Sequence, residues 1–152
     1  MTAKKVYKKG VTLIEMLITI SIIGILVGVI TPSISKYLPG ISLNGAAKVL
    51  TSNLREAQEK TITEQKQYLI RFHTDGAPDY YELIRINNSA EELQRTVVLK
   101  SGESLTLDNT IAGSQIVFSP DGGPSSSGDI SISNATTTKI INVSPAGFIA
   151  IK

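Results

Sequence analysis

Few side chains in this sequence have types and spacings that could carry out chemistry. His73 is the single histidine and there is no cysteine, which excludes thiol catalysis, cysteine-ligated zinc and multi-histidine metal sites. Asp75 follows two residues after His73, but no motif marks a serine or a second base as their partner. We therefore interpret His73 as a solvated residue near a strand end, and we predict no enzyme activity and no cofactor.

Oxygen-bearing residues cluster once, between Asp121 and Asp129, which flank the run G-G-P-S-S-S-G. Calcium prefers such oxygen ligands, but the D-x-D-x-D-G spacing of a dedicated calcium loop is missing. We predict a flexible hairpin loop and no metal site. Asp121 and Asp129 are the candidate ligands if a metal binds there.

The most unusual charged residue is Glu15, because it is the only charged residue between Val11 and Thr31. This segment would form a helix of about 31 Å, at roughly 1.5 Å per residue, and a bilayer core is roughly 30 Å thick. A charge at the centre of such a helix costs roughly 2.5–3.5 kcal/mol, and less near its end. Glu15 either lies harmlessly near the membrane surface or has a partner, and we favour a partner.

Four lysines precede this segment: Lys4, Lys5, Lys8 and Lys9. By the positive-inside rule they should stay cytoplasmic, which places the chain after the segment outside the cytoplasm. An ordinary signal peptide fits less well, because the apolar run is long and ends in Val29-Ile30-Thr31-Pro32 without a small-residue cleavage pattern. Without these lysines the chain has 11 basic and 13 acidic residues, so composition gives no support for nucleic-acid binding.

Two glycines, Gly24 and Gly28, stand four residues apart in the apolar segment. This spacing allows close helix contact in membranes, although glycine is also generally frequent in such segments. Both interpretations remain open.

Pro32 should bend or interrupt the helix, and we expect helix to resume after Pro39-Gly40. From about Ser42 to Gln65 the apolar residues recur at helical spacing, which predicts an amphipathic helix. Its buried stripe is predicted to consist of Leu43, Ala46, Ala47, Leu50, Leu54, Ala57 and Ile62.

After Gln65 the apolar period changes to that of strands separated by Gly, Asn, Ser and Pro. The order of one long helix followed by strands indicates an α+β fold with an antiparallel β head. We predict strands near 68–72, 81–86, 96–99, 104–107, 115–119, 129–133, 139–143 and 148–151.

The run K-K-G-V-T-L-I-E-M-L-I-T-I-S-I-I-G-I-L resembles the prepilin motif of type IV pilins and pseudopilins. The resemblance implies a leader at 1–10, a transmembrane and filament-packing helix at 11–31, a kinked amphipathic continuation at 32–65 and an antiparallel β head at 66–152. Gly10 corresponds to the leader glycine, Val11 to the first mature residue, Glu15 to the family's glutamate and Pro32 to its kink proline. Valine stands where the family usually has phenylalanine or methionine.

The resemblance also implies partners and a location. A prepilin peptidase and N-methyltransferase would cut between Gly10 and Val11 and methylate Val11, and Glu15 would then pair with the amino terminus of a neighbouring subunit. The chain would be a single-pass inner-membrane protein with a cytoplasmic N-terminus and a periplasmic or extracellular head.

The head resembles the minor pseudopilin H and FimT group in I-V-F-S-P-D-G at 116–122 and I-I-N-V-S-P-A-G-F-I-A-I at 140–151. Phe148 replaces a basic residue common there, and the tail after Ile151 is only Lys152, which disfavours DNA binding. We expect a minor pseudopilin-like structural subunit of a type II secretion or type IV pilus filament. The alternatives are a competence-type minor pilin that binds DNA or another ligand, and an anchored domain that never assembles.

Overall fold

The computed structural model describes residues 10–88 and 90–152, except for the side chains of residues 29–36. Of the leader expected at 1–10, only Gly10 is therefore described. The chain divides into two units, Met1–Leu38 and Pro39–Lys152. Its elements are α1 (Leu13–Glu64), β1 (Gln67–His73), β2 (Tyr80–Asn87), β3 (Ala90–Val98), β4 (Ser104–Leu107), a 3-10 helical turn (Ala112–Ser114), β5 (Gln115–Phe118), β6 (Gly128–Ser133), β7 (Thr138–Val143) and β8 (Ile149–Ile151).

The helix α1 contains no interruption, which corrects the expectation of a break near Pro32 and Pro39-Gly40. A proline removes one helical hydrogen bond, and cooperative bonding on both sides keeps the remaining turns helical. The carbonyl of Pro39 also accepts a hydrogen bond from Asn134 Nδ2 at 3.0 Å, which ties this turn to the head. The side chain of Pro32 lies outside the described residues, and a bend there stays a prediction.

The first unit contains the apolar N-terminal turns of α1. From Leu13 to Val27 the large apolar side chains are between 52 and 86 % exposed, on every side of the helix. Taken over the part of the chain that the structure describes, none of the helices combines the length and apolar character that a membrane crossing requires.

In the second unit, α1 buries a stripe against the head. The buried positions repeat at alternating intervals of four and three residues, as one face of a helix requires: Leu43, Ala47, Leu50, Leu54, Ala57 and Thr61. Ile62, predicted in this stripe, is instead exposed. Thr61 takes the buried position because its hydroxyl donates to the carbonyl of Ala57 at 2.7 Å, so no polar atom is left unsatisfied.

The strands form two antiparallel four-stranded sheets. Sheet A has the order β3-β2-β1-β5, and sheet B has the order β4-β6-β7-β8. One hydrophobic cluster contains the apolar residues of the helix stripe and side chains of both sheets, among them Tyr68, Ile116 and Phe118 from sheet A and Ile130 and Ile141 from sheet B. The α+β fold expected from the sequence is confirmed.

Two strand predictions need correction. The strand expected at 96–99 corresponds to β3, which already begins at Ala90. The sequence did not indicate its first half, because charged residues there interrupt the apolar alternation. The segment between Asp121 and Asp129 does not join two paired strands, since β5 belongs to sheet A and β6 to sheet B. Its first residues do turn back along β5, where Pro124 forms an antiparallel bridge with Phe118. It is partly fixed by pairing, because the N–H of Ser125 donates to the carbonyl of Val117 at 2.7 Å.

Candidate assembly site at the start of the helix

Gly10, Val11 and Thr12 lie before the helix, in exposed, non-helical backbone. Thr12 is the N-cap: its Oγ1 accepts a hydrogen bond from the N–H of Glu15 at 3.3 Å, and its carbonyl accepts one from the N–H of Met16 at 3.2 Å. The cap fixes the start of α1 at Leu13 and leaves the Gly10–Val11 bond outside the helix. Sequence reasoning missed this role, although T-L-I-E has the spacing of a capping box.

Glu15 lies in the first turn of α1 with an exposed side chain. Within the described ranges its carboxylate forms neither an ion pair nor a hydrogen bond. The positive end of the helix dipole favours a carboxylate at this position, but it does not replace a partner in an apolar setting.

Two further polar side chains in the described part of this apolar stretch are satisfied within the helix. The hydroxyl of Thr19 donates to the carbonyl of Glu15 at 2.7 Å, and that of Ser21 donates to the carbonyl of Leu17 at 2.8 Å. Both can therefore enter an apolar environment without an unsatisfied hydrogen-bonding group. Gly24 and Gly28 are exposed, and a Cβ built on either one would contact nothing within 4 Å in this chain.

The remaining sequence candidates lie elsewhere, in the head. His73 contacts Glu82 rather than Asp75, with Nε2 at 3.0 Å from Oε2, and its ring stacks on Tyr80. The carboxylate of Asp129 accepts hydrogen bonds from Asn142 and from Lys152.

Asp121 caps its own turn by accepting the N–H of Gly123 at 3.2 Å. Over residues 10–88 and 90–152, no group of three or more acidic or histidine side chains could hold a metal ion.

Comparison with protein-family models identifies two segments. Residues 5–31 match the prokaryotic N-terminal methylation motif. Residues 46–147, about two thirds of the chain, match the type II transport protein GspH family. This chain belongs to the GspH family. No curated protein matches it.

Solved structures share the fold of this GspH-family chain. The minor pseudopilin EpsH from the type 2 secretion system of Vibrio cholerae is 12 % identical with a TM-score of 0.63, and the match covers 73 % of this chain and 96 % of EpsH. The type IV minor pilin FimU of Pseudomonas aeruginosa is 14 % identical with a TM-score of 0.63, and the match covers 76 % of this chain and 92 % of FimU. The pilin-like architecture expected from the sequence is confirmed.

Proposed function

We propose that this protein is a minor pseudopilin-like structural subunit of a type II secretion or type IV pilus filament. It is made as a precursor, cut between Gly10 and Val11 by a prepilin peptidase, and methylated on the amino group of Val11. Residues 11–31 anchor it in the inner membrane, with the N-terminus in the cytoplasm and the head outside. Its role is to assemble with other pilin-like subunits, without catalysis of its own.

The observation that carries this proposal is the exposed apolar surface around the start of α1. A helix that is apolar on all sides must be buried, either in lipid or among other helices. Among the residues that the structure describes, the large apolar side chains between Leu13 and Val27 are all more than half exposed. Lipid before assembly and neighbouring helices after assembly would bury these side chains in turn.

Glu15 supplies the specificity of that assembly. Cleavage creates a new positive charge at Val11, and an amino group and a carboxylate are each costly in an apolar environment. Pairing Glu15 with the Val11 amino group of a neighbour offsets both costs, and removal of one partner strands the other. The pair also sets the axial position of one subunit against the next.

The substitution Glu15→Leu tests this role. We expect the variant to insert in the membrane as the parent does, but its amount in sheared filaments should fall at least tenfold relative to its amount in membranes. Quantitative immunoblots of the two fractions measure the ratio. Thr19→Val is the matched control, because its hydroxyl bonds only within the helix. Incorporation of Glu15→Leu at the parent level would contradict the proposed pairing.

A further inference from the structure

The last strand, β8, lies at one edge of sheet B. The N–H of Ser144 donates to the carbonyl of Phe148 at 2.9 Å, and that of Lys152 donates to the carbonyl of Ile140 at 2.8 Å. In an antiparallel pair, hydrogen-bonded and non-bonded positions alternate, so Ala150 also bonds to β7. Ile149 and Ile151 therefore direct their backbone N–H and carbonyl groups away from β7.

The other three sheet edges are protected by the chain itself. On β3, Glu91, Glu92 and Arg95 form ion pairs and the register shifts at a bulge. On β5, Val117 bonds to Ser125, and on β4 the N–H of Leu105 donates to Asp79 Oδ2 at 2.7 Å.

On β8, among the described residues, only the carbonyl of Ile149 has such a partner, Arg55 Nη2 at 2.7 Å. The N–H groups of Ile149 and Ile151 and the carbonyl of Ile151 have no such partner within residues 10–88 and 90–152.

A cavity of about 360 Å³ lies beside this edge, lined by Lys48, Thr51, Ser52, Arg55, Ala150 and Ile151. The hydroxyl of Thr51 is already used, because it donates to the carbonyl of Ala47 at 2.8 Å. Lys48 and Arg55 are exposed, and neither forms an ion pair with any residue that the structure describes. The groove between α1 and β8 is therefore cationic and lies along an open row of backbone donors and acceptors.

We propose that this groove binds an extended, carboxylate-bearing segment of a partner protein, which adds to sheet B as a fifth strand beside β8. The segment would bond to the N–H of Ile149 and to the N–H and carbonyl of Ile151, and its acidic side chains would pair with Lys48 and Arg55. Strand addition of this kind draws affinity from main-chain bonds and selectivity from side chains. A protein segment fits better than nucleic acid, because the edge has the bond spacing of a peptide. The inference goes beyond the proposed function and does not depend on it.

The test uses the full chain in detergent micelles, labelled for backbone NMR and titrated with the peptide Thr-Glu-Val-Glu-Val-Thr. The account predicts shifts centred on β8 and slower hydrogen exchange at Ile149 and Ile151. A peptide with lysine in place of both glutamates should bind at least tenfold more weakly. Equal binding of the two peptides, or no binding of the acidic one, would overturn the proposal.

Two variants separate strand addition from simple charge attraction. Ile151→Pro removes one outward N–H but keeps the bonds to β7, and proline is tolerated at such edge positions. It should abolish the slower hydrogen exchange at Ile149, the outward N–H that remains. Lys48→Glu should weaken binding of the acidic peptide at least tenfold, whereas Lys100→Glu, the same charge change on the β3–β4 loop, should not. Unchanged peptide binding by Ile151→Pro would contradict the proposal. So would NMR shifts of β8 with oligothymidylate as large as those with the acidic peptide.

Discussion

Tyr81 and Asn53 form a buried polar contact between β2 and α1. The amide of Asn53 donates to the hydroxyl of Tyr81 at 2.8 Å, and its Oδ1 accepts from Arg95 Nη1 at 3.0 Å. Arg95 also forms an ion pair with Glu56 at 3.0 Å. Together these contacts link strands β2 and β3 to the helix. Burial raises the pKa of Tyr81 from its usual 10.0 to about 12.

This pKa predicts an alkaline loss of stability. The folded state holds the phenol proton more tightly than the unfolded state, so the contribution is complete below pH 10 and is lost as the pH rises towards 12. Tyr81→Phe should remove about 1–2 kcal/mol of this pH dependence, since one pKa unit is about 1.4 kcal/mol and partial hydration reduces the effect.

Urea unfolding of the full chain in micelles at pH 8 and at pH 11 measures the difference. Tyr80→Phe, which removes the same hydroxyl at a partly exposed position, is the matched control. If Tyr81→Phe lost as much unfolding free energy between pH 8 and pH 11 as the parent does, the assignment to Tyr81 would be contradicted.

At the residue scale, the sequence was enough to single out Glu15 but not the cap that precedes it. Glu15 stands out because a lone charge in an apolar run is costly, and that cost can be read without a structure. The partner of His73, in contrast, could not be inferred from the sequence. Glu82 reaches it across the β1–β2 ladder, where His73 lies opposite Tyr80, and cross-strand register is not a local property of the chain.

Two turns with the same pattern, S-P-x-G, meet at one side chain of α1. The N–H of Gly122 donates to the carbonyl of Ser119 at 2.7 Å, and that of Gly147 donates to the carbonyl of Ser144 at 2.9 Å. Gln58 Nε2 donates to the carbonyls of Gly122 at 2.8 Å and Gly147 at 3.0 Å. One helix residue thus holds the turn that follows β5 of sheet A and the turn that precedes β8 of sheet B.

We predict that Gln58→Ala destabilises the head by about 1–3 kcal/mol, because it leaves two partly buried carbonyls without this donor. Gln94→Ala is the control: Gln94 is exposed, and its side chain donates only to the nearby carbonyl of Glu92. Urea midpoints of the two variants at pH 7 give the comparison. Equal midpoints would show that the Gln58 bonds contribute nothing measurable.

At the scale of elements, the periodicity of apolar residues predicted the helix and most strands well. It failed where polar residues occupy buried helix positions or make up a strand. Ile62 was assigned to the buried stripe by its type, whereas the stripe continues through Thr61, whose hydroxyl bonds to its own helix. The first half of β3 was not predicted, because two adjacent charged residues, Glu91 and Glu92, are more typical of a loop than of a strand. In the structure their carboxylates pair with Arg71 and Arg85 across the sheet.

For the whole molecule, the order of one helix and then strands was enough for the α+β class. The division of the strands into two sheets was not predictable, because the partner of each strand is set by contacts distant in sequence. The connection from β5 to β6 shows this most clearly, since it resembles a hairpin locally and yet joins different sheets. Membership of the GspH family and the folds of EpsH and FimU agree with the helix-on-sheets architecture.

The central claim is that the chain is processed and assembled as a prepilin, and mass spectrometry of its mature N-terminus tests this most directly. The protein should be isolated from membranes of cells that carry its own assembly machine, with Gly10→Leu as the control expected to keep the leader. The account predicts a chain that begins at Val11 with one added methyl group on its amino nitrogen. A chain that still begins with the leader, or one cut beyond Thr31, would contradict it.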